Sequence, residues 1–224
     1  MNPKISVIIS TYNEPKWLDF CLESYRNQTI KYFEIIIADD GSKKETKSII
    51  DQHKQLVTEH VWHEDRGFRK TKILNKAICA ANSDYLLFTD GDCIAPKKLI
   101  ETHLQKRKKN HFLSGSYYKL DEQTSKKIDK HLIKDLFNRS TLKQLGHTPR
   151  YKSIKFLAPL SIRTFLDIIT TTKPTWNGHC SSGWKKNIEA VNGFNEQMVY
   201  GGEDRELGER LINKGIRPIQ IRHQ

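Results

Sequence analysis

Apolar positions along the chain switch repeatedly between two spacings. Ile5–Ser10 is a short β-rich run, after which Trp17, Leu18, Cys21, Leu22 and Tyr25 recur with the period of a helix. Phe33–Ala38 reads as a second buried strand that ends at Asp39-Asp40-Gly41-Ser42. A polar helix over about 43–53 and a third strand near Val57–Trp62 follow. Beyond Gly67 a helix starts near Arg69 with Ile73, Leu74, Ala77 and Ile78 on one face, and Tyr85–Thr89 forms the next strand, ending in Asp90-Gly91-Asp92. This β-α-β alternation predicts a parallel sheet with right-handed crossovers, hence an α/β fold with helices on a mostly parallel central sheet. From Pro96 to Thr175 the pattern weakens: a helix to about Lys106, a strand at Phe112–Tyr117, a basic helical stretch around Ser125–Leu145, then no clear period. Toward the end, Trp176-Asn177-Gly178-His179 and Gly201-Gly202 read as loops. Glu203–Lys214 reads as a helix stopped at Gly215, and Ile216–Ile221 as a last strand.

A chain of 224 residues with 37% apolar residues suits one domain, 1–224, with a first half (1–95) and a second half (96–224) distinguished by the strength of the pattern. No apolar run approaches the roughly 20 residues that span a bilayer. The polar start Met1-Asn2-Pro3-Lys4 lacks a signal-peptide core, so a cytoplasmic protein is expected. Cys21, Cys79, Cys93 and Cys180 are scattered without a CxxC pair and are expected to be reduced thiols. The net charge of +12 calls for an anionic partner: nucleic acid, an acidic membrane surface or a phosphate-bearing substrate. Lys106, Arg107, Lys108 and Lys109 form one basic cluster and Lys126–Lys134 another, while the acidic residues gather in short motifs.

Those motifs hold the candidate chemistry. Ligands of open α/β sheets bind beyond the carboxyl ends of the strands, so Asp39/Asp40 and Asp90/Asp92 are expected on one rim. Asp90-Gly91-Asp92 alone also suits a solvated turn, and Asp39-Asp40-Gly41-Ser42 a strand end with a helix cap. Two acidic pairs on the same rim favour a site in which carboxylates hold a divalent cation against a nucleotide diphosphate. A carboxylate such as Asp40 can accept the imide N–H of uracil, which favours a uridine nucleotide. Glu203-Asp204 after two glycines reads either as acidic side chains answering a helix dipole or as a carboxylate placed to act as general base on an acceptor hydroxyl. Trp176, Trp184 and Tyr200 suit packing, and equally stacking on sugar rings. An acidic ligand rim is hostile to a phosphate backbone, so nucleic acid is not an expected partner despite the charge.

Ser6-Val7-Ile8-Ile9-Ser10-Thr11-Tyr12-Asn13-Glu14, Asp39-Asp40-Gly41-Ser42 and Phe88-Thr89-Asp90-Gly91-Asp92 together resemble the family 2 glycosyltransferases, whose fold is GT-A. Phe68–Asn75 and Gly193-Phe194-Asn195-Glu196, followed by Gly201-Gly202-Glu203-Asp204, resemble the β-1,4-galactosyltransferases and bacterial chondroitin-polymerase-type enzymes. The resemblance covers about 1–95 and 176–224, and implies a nucleotide-binding half over 1–95 and an acceptor-binding half over 96–224. It implies transfer of a sugar from a UDP-sugar to a carbohydrate or lipid-linked glycan, with inversion, in bacterial surface polysaccharide or lipopolysaccharide synthesis. By position it implies donor binding by Ser10, Tyr12, Asp40, Lys70, Lys72 and Asp90. Trp176, Gly178, Tyr200, Gly202 and Glu203 fall on the acceptor side, with Asp204 as base. Asp92 and His223 are the implied metal ligands, and a site with an imidazole favours Mn²⁺, with Mg²⁺ as the alternative. Two positions depart from the galactosyltransferase pattern: Gln220 replaces a Met ligand, and Tyr200 a Trp. The rivals are a GT-A-like nucleotidyltransferase, which would release pyrophosphate, and a basic nucleic-acid-binding module. The 103–175 region is expected to form the acceptor side and to carry a contact with an anionic membrane or glycan.

Overall fold

The computed structural model describes residues 3–147, 158–169 and 173–221, apart from the side chains of residues 160, 164 and 168. Its frame is a seven-stranded sheet in the order β3-β2-β1-β4-β6-β5-β7. The strands are β1 (Ser6–Thr11), β2 (Glu34–Asp39), β3 (Glu59–Trp62), β4 (Tyr85–Asp90), β5 (His111–Ser114), β6 (Ser181–Trp184) and β7 (Arg217–Gln220). The first four pair in parallel, β6 runs antiparallel to both β4 and β5, and β5 and β7 are parallel. One sheet therefore takes strands from both halves of the chain.

β1 and β2 are buried along their whole length because both faces of the sheet are covered, which is why their sequences are continuous rather than alternating apolar runs. Ile8, Ile36, Leu86 and Phe88 point to one face, under α3 (Lys70–Ala80) and a helix over Glu203–Asn213. Val7, Ile9, Ile35, Ile37 and Leu87 point to the other, under α1 (Pro15–Arg26), α2 (Lys44–Gln52) and α4 (Leu99–Lys106).

The later elements depart from expectation in instructive ways. The basic stretch expected as one helix is three short pieces: α5 (Glu122–Lys126), a 3-10 turn (Lys130–Asp135) and α6 (Arg139–Gln144). They close a small separate core of Phe20, Ile128, Ile133, Leu136, Leu142 and Leu145. α7 (Leu160–Ile169) falls where no period was visible, and α8 (Lys185–Glu189) and α9 (Glu203–Asn213) follow. β6 has the sequence Ser-Ser-Gly-Trp, with no hydrophobic signal. It is nonetheless buried in mid-sheet because its hydroxyls are paired: Ser182 Oγ lies 2.8 Å from Tyr85 Oη and 2.7 Å from His103 Nδ1, and Ser181 Oγ accepts the Asn177 amide at 2.9 Å.

The Lys106–Lys109 cluster is displaced from its expected place. Arg107 lies over the rings of Tyr85 and Trp184, 5.7 and 5.6 Å from their centroids, and Trp184 Nε1 donates to the Lys108 carbonyl at 2.9 Å. Tyr85 opens β4 and Asp90 closes it, so the cluster sits at the amino end of that strand, roughly 17 Å of extended chain from the acidic rim. α4 carries the chain back to that end of the sheet.

Candidate functional site

The carboxyl ends of β1, β2 and β4 open onto a cleft of about 260 Å³ lined by Ser10, Thr11, Tyr12, Asp40, Phe68 and Lys70. Each comes from a strand end or from the loop into α3, which is why residues distant in sequence converge. The Asp40 carboxylate accepts from His63 Nε2 at 2.6 Å through Oδ1 and from the Arg69 backbone N–H at 2.9 Å through Oδ2. Tyr12 is half exposed at the edge, its hydroxyl donating to Asp65 Oδ2 at 2.8 Å.

Deeper in, Asp90 Oδ1 accepts from both Ser10 Oγ (2.7 Å) and Lys70 Nζ (2.8 Å). Burial opposes charge on Asp90, but the Lys70 ammonium, the Ser10 hydroxyl and nearby His179 hold its carboxyl below the usual range. Burial would likewise lower the Lys70 pKa, yet Asp90, Asp204 and Glu203 outweigh it and raise it. Lys72 does not share this position. Two residues on, it is turned about 200° round α3 and lies exposed to solvent, away from the Lys70–Asp90 pair.

Beyond Asp90 the chain turns through Asp92, which is exposed, and Cys93. Ligand atoms of Asp90, Asp92 and Cys93 lie within 4.8 Å of one another. Two carboxylates at this spacing suit a hard divalent cation, with the exposed Asp92 as the accessible oxygen ligand, while burial and the two aspartates raise the Cys93 pKa and keep it a thiol beside them. His223 lies outside the described residues. Sequence reasoning missed Cys93 and His179. His179 packs edge-to-face on Tyr117, centroids 4.5 Å apart, in the same loop as Gly178. Neither residue stands at a metal-ligand spacing, so only its place beside Asp90-Gly91-Asp92, or in the Trp176–His179 loop, marked it.

The opposite wall comes from that loop and from the start of α9. Gly202 caps α9 in the left-handed region (φ 85), and Glu203, in its first turn, is buried. Asp204 follows, its carboxylate seated on Gly178: a Cβ at residue 178 would lie 2.7 Å from Asp204 Oδ2. Burial raises the Asp204 pKa to about 6, with Glu203 and Asp90 adding to the rise and Lys70 and the Gly178 N–H opposing it. Tyr200, exposed, meets Phe68 edge-on at 5.2 Å, so the loop before α9 reaches the wall of the nucleotide-sized cleft.

Trp176 is a core residue and not the acceptor platform expected of it. It is 1% exposed and packs against Phe88 (5.4 Å) and Phe112 (5.5 Å) in the main core, so its ring is not available to a sugar. The two motifs Phe68–Asn75 and Gly193–Glu196 are in physical contact: Asn75 Nδ2 donates to the Phe194 carbonyl at 2.9 Å and its Oδ1 accepts the Phe194 N–H at 2.8 Å.

Comparison with known proteins agrees with this geometry. Residues 6–164 match the model of glycosyl transferase family 2, and residues 171–223 that of the N-terminal domain of galactosyltransferase. Validoxylamine A glucosyltransferase of Streptomyces hygroscopicus subsp. jinggangensis is 26% identical over 96% of this chain and 52% of its own length. Escherichia coli chondroitin synthase is 28% identical over 94% of this chain and 32% of its own. The mannosyltransferase of Pyrobaculum calidifontis in complex with GDP-Man and Mn²⁺ superposes with a TM-score of 0.63 at 17% identity, covering 98% of this chain and 55% of that one. Staphylococcus aureus TarS 1–349 in complex with UDP gives a TM-score of 0.62 at 17% identity, covering 97% and 57%. The chain thus spans about half the length, or less, of these relatives. The fold is GT-A, and the chain belongs to glycosyl transferase family 2.

Proposed function

We propose that this glycosyltransferase moves a sugar from a UDP-sugar to a hydroxyl of a glycan or lipid-linked glycan, with inversion at the anomeric carbon. The observation that carries the reading is Asp204: a carboxylate with a pKa of about 6, beside the Lys70–Asp90 pair and across from a cleft of nucleotide-binding character. Such a group is ionised at neutral pH yet basic enough to take a proton.

The uridine end occupies the cleft of Ser10, Tyr12 and Asp40. A carboxylate offers about four acceptor sites, and two of those on Asp40 are used by His63 and Arg69, which leaves room for a base N–H. Lys70 faces the diphosphate. Asp92, with Asp90 beside it, would hold a divalent cation, Mn²⁺ or Mg²⁺, which would supply charge stabilisation for the leaving diphosphate. Asp204 takes the proton of the acceptor hydroxyl. The acceptor oxygen then bonds to the anomeric carbon as the bond to the diphosphate oxygen breaks, so an α-linked donor gives a β-linkage. Gly178, Glu203 and Tyr200 bound the acceptor side, and the protein's share of catalysis is positioning and base strength.

Structural relatives solved in complex with UDP and with GDP-Man and Mn²⁺ support a nucleotide-sugar donor. Chondroitin synthase among them supports a bacterial surface-polysaccharide setting. No helix among the described residues is long and apolar enough to cross a membrane. A peripheral site at the cytoplasmic leaflet is supported by the net charge of +12 and by Ile162, Phe165 and Ile169, which lie exposed on α7. The test is UDP release from a panel of UDP-sugars in Mn²⁺ buffer. Turnover of at least one donor supports the reading, and pyrophosphate release from a nucleoside triphosphate without UDP-sugar turnover would replace it.

A further inference from the structure

A second and larger cavity, of about 520 Å³, opens beside Asp92 and His179 on the side away from the nucleotide cleft. Its floor is the turn after β4, one wall is α4, and its roof is the small core closed by α5, the 3-10 turn and α6. Most of its lining is apolar, Ile94, Leu99, Leu120, Ile128, Leu136 and Leu142 among it, with the hydroxyls of Thr89, Thr102, Ser116 and Ser125 and the Lys119 side chain interspersed. The fully buried histidine of the lining, His103, already has partners, Ser182 Oγ at 2.7 Å and Cys180 Sγ at 3.5 Å, and burial lowers its pKa to about 3, so it is neutral.

A cavity of this volume exceeds packing defects, which are seldom larger than a water molecule, and falls in the range of ligand sites. Its contents are selected by its walls. Sugar hydroxyls taken inside would lose water against a mostly apolar wall, at a cost of about 1–3 kcal/mol for each left unpaired, whereas a hydrocarbon chain would lose only unfavourable contact with water. Asp92, His179 and Tyr117 line it on the side of the Asp90-Gly91-Asp92 turn and the Gly178 loop, which adjoin the reaction site. An occupant that spans both regions has a sugar or other hydroxyl-bearing head at Asp204 and an apolar tail behind Asp92.

We propose that this cavity binds the hydrocarbon aglycone of the acceptor, so that the enzyme selects an acceptor attached to an alkyl chain over the same sugar in free form. The assignment rests on the glycosyl-transfer reading above, which supplies the head group's position. The experiment is calorimetric titration of the whole chain with methyl, butyl, hexyl and octyl β-D-glucopyranoside, each below its micelle concentration. It is repeated on Leu136→Phe and Ile128→Phe, which fill the cavity from two positions, with circular dichroism and UDP titration as checks on the fold. The expected result is one site whose affinity rises by up to about fourfold per methylene and falls at least about tenfold for the octyl compound in the filled variants, with UDP binding unchanged. Affinity independent of chain length, or octyl binding unchanged in every variant that folds, overturns the assignment. UDP release measured on the same preparations keeps the two readings apart. Turnover without chain-length dependence overturns only the aglycone site; chain-length dependence without turnover of any UDP-sugar overturns the transfer reading and leaves an apolar ligand site.

Discussion

The backbone of Gly178 and the carboxylate of Asp204 occupy adjoining space, so that a single methyl group at residue 178 would stand 2.7 Å from Asp204 Oδ2. Gly178→Ala must therefore move the base or the loop. A displacement of about 1 Å at a reacting group can cost on the order of 100-fold in rate. The expected result is a loss of that order in kcat, with UDP affinity within about threefold of wild type. Steady-state kinetics with a UDP titration check it, and an unchanged kcat would mean that Asp204 is not held where it is needed.

The raised pKa of Asp204 has consequences for both rate and stability. The base must be ionised, so log kcat/KM is expected to fall with unit slope as pH drops below about 6. For stability the sign is opposite to that of an ordinary paired carboxylate. The folded state holds the proton more tightly than the unfolded chain, so the destabilising contribution is absent below pH 3.8, grows through that window and is complete above about 6. Asp204→Asn is expected to stabilise the fold by on the order of 1–2 kcal/mol at pH 8 and to have little effect near pH 3.5. Denaturant unfolding at the two pH values measures this.

Lys70 links the two walls of the site, since it pairs with Asp90 and also lowers the Asp204 pKa. Lys70→Gln is expected to raise the donor KM by at least about tenfold, through loss of a charge facing the diphosphate. It is also expected to move the acid limb of the rate profile above pH 6. A pH profile of the variant separates the second effect from simple loss of structure, which would lower activity without moving the limb.

Asn75 joins α3 to the Phe194 backbone through a donated and an accepted hydrogen bond. Asn75→Ala leaves two backbone groups without their partner and is expected to cost about 1–3 kcal/mol of stability, with the pH dependence of the remaining activity unchanged. Urea unfolding and a pH profile check the two halves of that statement.

Much of this fold was legible because strands buried on both faces have no polar alternative. β1, β2 and β4 stand out as continuous apolar runs, and their acidic ends fall on one rim for topological reasons. β6 was not legible, because Ser181 and Ser182 are buried through hydrogen bonds whose partners, Asn177, Tyr85 and His103, are set by tertiary structure. The same limit applies to Trp176. A loop of Trp, Asn, Gly and His looks like a sugar platform, and only the approach of Phe88 and Phe112 shows the ring to be core. Lys70 and Lys72 are two residues apart in one motif, yet the helical rotation gives one to Asp90 and the other to solvent. His179 and Cys93 have no spacing signature and became visible only when the loop folded against Asp90 and Asp92.

The Lys106–Lys109 cluster lies at the amino end of β4, away from the site. Changing Lys106, Lys108 and Lys109 to Ser while sparing Arg107, which packs on Tyr85 and Trp184, is expected to leave kcat and the acceptor KM within about twofold of wild type. Binding to vesicles containing anionic lipid is expected to weaken, since each Lys near such a surface contributes about 1 kcal/mol. Co-sedimentation with and without anionic lipid, beside kinetics on a water-soluble acceptor, tests both.

The central claim is that Asp204 is the base at a donor site built on Asp40, Lys70 and Asp90. UDP release from the preferred UDP-sugar in Mn²⁺ buffer, compared between wild type and Asp204→Asn with UDP affinity measured on both, tests it most directly. The expected result is a fall in kcat of about 100-fold to 10,000-fold with UDP affinity within a few fold of wild type. A variant that transfers the sugar to the acceptor and releases UDP at the wild-type rate would contradict the account.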